Sequence, residues 1–163
     1  MKCAILQPID RAGLDLLQAA GVEPLCAPDT GIDTIAPLLQ QSDAVITRNW
    51  GFPALALAMA PKLQVVGVHG TGTDRIYKAG LAERGIVLVT TAGSNAQSVA
   101  EHCIGLMLAS ARGVHLGHEA MQSGDFAFRG RFRGRELSGR QLGLWGWGHI
   151  SQAVAPIAQA IGM

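Results

Sequence analysis

Across the first ninety residues, short apolar runs alternate with longer stretches in which apolar side chains recur every third or fourth place. Five runs, at 3–6, 22–26, 44–47, 63–68 and 86–89, are short and bounded by Pro, Gly or Asp, the pattern of buried strands. Between them the spacing predicts helices over 11–20, 33–40, 53–60 and 74–84. In the first, Leu14, Leu17 and Ala20 form one stripe and Gly21 supplies the stop; Gly85 closes the last. Strands spaced regularly by helices imply parallel pairing through crossovers. The expected fold class is therefore α/β: a flavodoxin-like parallel sheet with helices on both faces and ligands at the carboxyl ends of its strands.

Beyond residue 90 the texture changes. Ser94-Asn-Ala-Gln97 has the spacing of a capping box and opens a long predicted helix, 95–112, with Val99, Cys103, Leu106 and Met107 on its apolar face. Residues 113–139 are rich in Gly, Arg and Phe with little periodicity, which predicts an irregular arm. A second α/β unit is expected to open at Arg140, with a strand over 141–145, a glycine turn, and a helix from about His149. Pro156 lies inside that helix and is expected to kink it or delay its start, because proline removes a backbone donor.

Composition narrows the function classes. With 48% hydrophobic and 15% charged residues the chain can bury a real core, and a net charge of +1 gives no general attraction to nucleic acid or anionic membranes. No apolar stretch is long enough to span a bilayer, and MKCAILQPID lacks the length and flanks of a signal peptide. Cys3, Cys26 and Cys103 are odd in number and far apart, which excludes a complete disulfide framework and favours a reducing, cytoplasmic location. His115 and His118 share a helical spacing without a third ligand cluster nearby, so no metal is expected. Residues 129–140 hold five of the thirteen basic residues; a solvated arm or partner contact is the preferred reading over a nucleic-acid site.

Three loops carry candidate chemistry. In VVGVHGTGTD, residues 65–74, a buried strand runs into Gly70, Thr71 and Gly72, whose backbone amides suit a small anion such as a carboxylate. On spacing alone an ordinary glycine-rich turn is the simpler reading, and His69 is as well suited to capping the turn as to touching a ligand. In VTTAGSNAQSVAE, residues 89–101, capping accounts for Ser94 and Gln97 and leaves the threonines as ligand candidates. In LGLWGWGHIS, residues 142–151, Gly146 and Gly148 hold the places of a dinucleotide-binding turn, with Ser151 where a third glycine would stand. A plain strand-to-helix turn fits these two glycines equally well.

Taken together, residues 63–102 and 132–163 resemble the D-isomer-specific 2-hydroxyacid dehydrogenases, which include phosphoglycerate dehydrogenase. The resemblance implies a substrate-binding flavodoxin-like domain over 1–94 and a linking helix over 95–112. Residues 113–163 would then be an arm and the start of an NAD-binding Rossmann domain, cut after its first βα unit. It further implies that Gly70, Thr71 and Gly72 hold the substrate carboxylate through backbone amides; His69, by its place in the same loop, is included as a substrate-binding candidate. Thr91 would face the nicotinamide, and Gly146, Gly148, His149 and Ile150 would form the pyrophosphate turn.

Two departures qualify this. Many members carry Arg at the position of Val68, which argues against a phosphorylated substrate. His149 replaces the arginine usual in the turn. The family's catalytic Arg, Glu and His fall after Met163, so no catalytic residue is nominated in this chain. The expectation is the N-terminal part of an NAD-dependent oxidoreductase for small D-2-hydroxy acids and 2-keto acids, inactive by itself, dimerising through the 113–140 arm and the start of the NAD domain. The alternative is a non-catalytic flavodoxin-like module that binds a small carboxylate or a partner protein.

Overall fold

The computed structural model describes residues 1–163, which divide into two compact units, Met1–Ala92 and Gly93–Met163. The first is a five-stranded parallel sheet: β1 (Lys2–Ile5), β2 (Glu23–Cys26), β3 (Ala44–Thr47), β4 (Val65–Val68) and β5 (Val87–Thr90). Helices α1 (Arg11–Ala19), α2 (Ile32–Gln41), α3 (Ala54–Ala58) and α4 (Lys78–Glu83) alternate with the strands. The strand order is β2-β1-β3-β4-β5, the flavodoxin-like order, with its reversal between β1 and β3.

Parity within the strands sorts the core. Ala4, Val45 and Val66 face one side with Ile35 and Leu39 of α2, Leu57 of α3 and Leu81 of α4. Cys3, Ile5 and Ala44 face the other with Leu14 and Leu17 of α1. Three helices thus cover one face and one covers the other, which leaves Val87 (58%) and Val89 (50%) of β5 exposed. Buried Ser42 and Thr47 both spend their hydroxyls, on the Leu38 and Gly51 carbonyls at 2.7 Å each.

Helix α4 starts four residues later than its periodicity predicts. The cause is long-range: the Phe52 amide donates to the Arg75 carbonyl and the Tyr77 amide to the Phe52 carbonyl, both at 2.9 Å. Those two bonds make a bridge at Ile76, directly after a turn at 74–75, where the periodicity predicts helix.

The second unit is built on α5 (Ala96–Arg112) and α8 (His149–Ala160). Ala100 and Ile104 of α5 pack on Val154 and Ala158 of α8. The buried stripe is thus Ala96, Ala100 and Ile104, with Cys103 and Met107 at its margin and Leu106 exposed. The N-cap falls one residue after the predicted Ser94. Asn95 is the N-cap, and Gln97 Nε2 donates forward to Glu101 Oε1 at 2.8 Å instead of reaching back.

The arm is not irregular throughout. It holds α6 (Val114–Gln122) and the single turn α7 (Phe128–Arg131). Gly113, at φ +60°, ends α5 and starts α6, and a Cβ there would meet the Phe132 ring at 2.3 Å. The ring lies stacked on Phe128 at 5.3 Å, and the Arg135 amide returns to the Ala111 carbonyl at 2.8 Å. Residues 141–145 form no paired strand, because no partner strand lies beside them; Leu142 and Leu144 pack on the α5–α8 cluster. Helix α8 begins at His149 and runs unbroken past Pro156, whose exposed position puts the missing donor on the solvent side. No helix is long and apolar enough to cross a membrane.

Candidate functional site

The carboxyl edge of the sheet is shaped first by side chains that close space. Gln7, just past β1, accepts from the Arg48 and Trp50 amides at 2.9 Å each, while Arg48 Nη1 donates to the Pro8 carbonyl at 2.9 Å. The crevice at the β1–β3 reversal is therefore occupied by Gln7 and its partners. The open space lies one strand over.

There the loops after β3 and β4 enclose a cleft of about 400 Å³. Thr47, the last residue of β3, curls its loop by donating to the Gly51 carbonyl. Gly51 has φ +84°, and a Cβ on it would fall 2.4 Å from both the Cβ and the carbonyl oxygen of Arg75. Only glycine lets the loops meet this closely. Arg75 Nη1 then spans them, donating to the Asn49 carbonyl at 3.1 Å.

His69, Gly70, Thr71 and Gly72 come together on the lining of this cleft. Their amides are not equivalent. His69 donates to the Thr47 carbonyl and Gly70 to the Val68 carbonyl, each at 2.8 Å. Gly70, at φ +153°, serves as the bend, and its own carbonyl accepts from Thr91 at 3.0 Å. The Thr71 and Gly72 amides donate to no backbone carbonyl and so retain their capacity for an anion.

Arg48, Arg75 and Asp74 also line the cleft, two cations against one carboxylate. None of the three is prominent in the sequence pattern. Arg48 was nonetheless findable, since it follows β3 directly at the edge where ligands gather. Val68 is 4% exposed, and its side chain adds apolar lining without a charge. Thr91 belongs to a neighbouring apolar groove of about 330 Å³, shared with Leu16 and Leu17 of α1 and with Val89.

The glycine turn lies in the second unit. Gly146 takes φ +97°, and a Cβ on Gly146 or Gly148 would meet nothing within 4 Å, so the backbone is open to close approach. Gly148 is the N-cap of α8 and places no side chain over the helix start. Within the helix the Gln152 amide is the first to find a helical acceptor, the Gly148 carbonyl, so His149, Ile150 and Ser151 present unspent amides. The Gln152 side chain closes the turn from below, donating to the Trp147 carbonyl at 3.0 Å. The His149 ring rests against Gly93, where a Cβ would come within 3.3 Å of it. An unobstructed helix start after a positive-φ glycine fits the pyrophosphate end of a dinucleotide. No cluster of three His, Cys, Asp or Glu groups suited to a metal is present.

Comparison with known proteins identifies the family. Residues 3–160 match the D-isomer specific 2-hydroxyacid dehydrogenase catalytic domain. The chain is 30% identical over 163 residues to D-3-phosphoglycerate dehydrogenase of Methanocaldococcus jannaschii, covering all of this chain and 31% of that protein. It is 31% identical over 157 residues to hydroxypyruvate reductase of Thermotoga maritima, covering 96% of this chain and 51% of the relative. The crystal structure of NAD-dependent formate dehydrogenase from Staphylococcus aureus in complex with NAD superposes with a TM-score of 0.84 at 26% identity, over 99% of this chain and 54% of that one. The chain thus spans between a third and about half of the proteins it resembles. With a family match over nearly its whole length, the chain belongs to the D-isomer-specific 2-hydroxyacid dehydrogenase family.

Proposed function

We propose that this chain supplies the substrate-binding half, and the opening turn of the cofactor-binding half, of an NAD-linked dehydrogenase for small D-2-hydroxy acids. The observation that carries the reading is the cleft between the loops after β3 and β4. There the unspent Thr71 and Gly72 amides share a lining with two guanidinium groups. A carboxylate is the ligand that such donors select.

In this reading His69, Gly70, Thr71 and Gly72 form the substrate loop. Gly70 shapes it, Thr71 and Gly72 bind through their amides, and Thr91 lies toward the nicotinamide. Gly146, Gly148, His149 and Ile150 receive the pyrophosphate. The bound cofactor would supply hydride transfer; the chain's own residues orient the acid and hold it by its carboxylate. His69 and Asp74 both line the cleft but share no hydrogen bond or ion pair that would ready the histidine to move the hydroxyl proton, and in this reading the chain by itself binds without turnover. The absence of a cation at Val68 argues against a phosphorylated substrate. Pairing of two copies through the 113–140 arm and a cytoplasmic location complete the proposal.

Calorimetric titration of the 163-residue chain with D-lactate and with NAD tests it. Binding of both, with no NADH consumption on adding glyoxylate, is the expected result. Carboxylate binding without NAD binding favours a non-catalytic carboxylate-binding module instead, and steady NADH turnover contradicts the assignment of an inactive part.

A further inference from the structure

We propose that Arg75 makes this cleft selective for 2-hydroxy acids bearing a second carboxylate. The inference rests on the proposed function, in which the first carboxylate sits on the Thr71 and Gly72 amides. Beside those amides the lining carries Arg48 and Arg75 against Asp74 alone. A carboxylate seated on the neutral amides balances that sum without pairing with Arg75, whereas a second carboxylate on the same acid can meet the Arg75 guanidinium directly.

The two arginines are not equal candidates. Arg48 is drawn toward the far side of its loop, where its Nη1 is spent on the Pro8 carbonyl beside β1. Arg75 is held inside the cleft, because Asn49, the residue it bonds, is itself part of the lining. Its backbone is fixed twice, by the Phe52 amide on its carbonyl and by the glycine notch at Gly51. Its guanidinium is anchored to a neutral carbonyl and makes no ion pair with a carboxylate. One of its five N–H donors is used, and the planar fork that remains matches a carboxylate edge. A phosphate monoester asks for more donors around its three oxygens, and the neighbouring wall at Val68 provides none.

The test is a titration of the full 163-residue chain with D-malate and D-lactate at fixed ionic strength. The native chain is expected to bind D-malate about tenfold more tightly, the worth of one charge-assisted bond. Arg75→Gln is expected to bring the two acids to near parity by weakening D-malate about tenfold more than D-lactate, and Arg75→Lys to keep part of the preference. A purely structural staple would weaken both acids equally. Arg11→Gln removes the same charge from α1, where Arg11 pairs with Asp15, and serves as the control for general attraction. Equal affinities in the native chain, an equal loss in the Arg11 variant, or tighter binding of 3-phosphoglycerate than of D-malate overturns the proposal. If D-lactate also fails to bind, the carboxylate reading of the cleft falls with it. Thermal melts of each variant separate loss of fold from loss of selectivity. Should Arg75→Gln unfold, the lysine variant alone decides, because an undiminished malate preference there would show that the planar fork is not what selects.

Discussion

Cys3 shows how burial governs chemistry at a single position. It lies on β1 among Ile5 and Ala44, and its thiol is pushed up to about 11, chiefly by desolvation and then by Cys26, against a smaller opposing hydrogen bond from the Ile46 backbone. Because the folded pKa lies above the unfolded one, the neutral thiol is the form that folding favours. The associated stability is whole below about pH 9 and drains as pH rises toward 11. Urea unfolding at pH 8 and pH 10.5 should therefore differ by roughly 2 kcal/mol more in the native chain than in Cys3→Ala. At pH 8 iodoacetamide should modify exposed Cys26 well before Cys3. An equal slope in the variant, or early labelling of Cys3, contradicts this.

The residue scale is also where the sequence was least legible. His69, Gly70, Thr71 and Gly72 announce a ligand loop through their glycine spacing, and they do meet at one cleft. Arg48 is marked only by its place directly after β3, and Arg75 carries no signal at all, since an isolated arginine in a loop reads as surface until the fold shows what faces it. The fate of the Gly70 amide was hidden too, because its bond to the Val68 carbonyl is a property of the bend and not of the residue.

At the scale of elements, period and stop signals placed all five strands of the sheet and helices α1, α2 and α5 within a residue or two. The departures have a common origin in partners distant along the chain. Helix α4 loses its first turn to Phe52, residues 141–145 lack a neighbour to pair with, and α6 emerges from a stretch whose glycines masked its apolar positions. Helix α5 was expected to bury Val99 and Leu106, yet its close face is Ala96, Ala100 and Ile104, small residues that let α8 approach. Ala100→Leu should therefore overpack that contact at a cost of about 1–3 kcal/mol. Amide exchange should speed up in α8 while the β-sheet amides keep their protection; uniform loosening of both units would count against the packing described.

For the molecule as a whole, the doubly wound layer follows from the alternation of strand and helix, and its parallel order from the crossover rule. The coverage of that layer does not follow, since nothing in a local pattern tells how many helices each face receives. One face has α1 alone, with Leu16 of that helix 72% exposed beside the bare end of β5.

The turn at Gly146 has a practical corollary. It is flanked by Trp145, fully exposed at 105%, and Trp147 at 63%, so two indoles stand in water on either side of the backbone assigned to the pyrophosphate. The protein thereby carries its own optical gauge of that position. Titration with NAD should quench their emission and move it to shorter wavelength, and Trp145→Phe should remove much of the signal without altering the midpoint. A spectrum indifferent to saturating dinucleotide would mean that the fluorophores flank a turn no nucleotide visits.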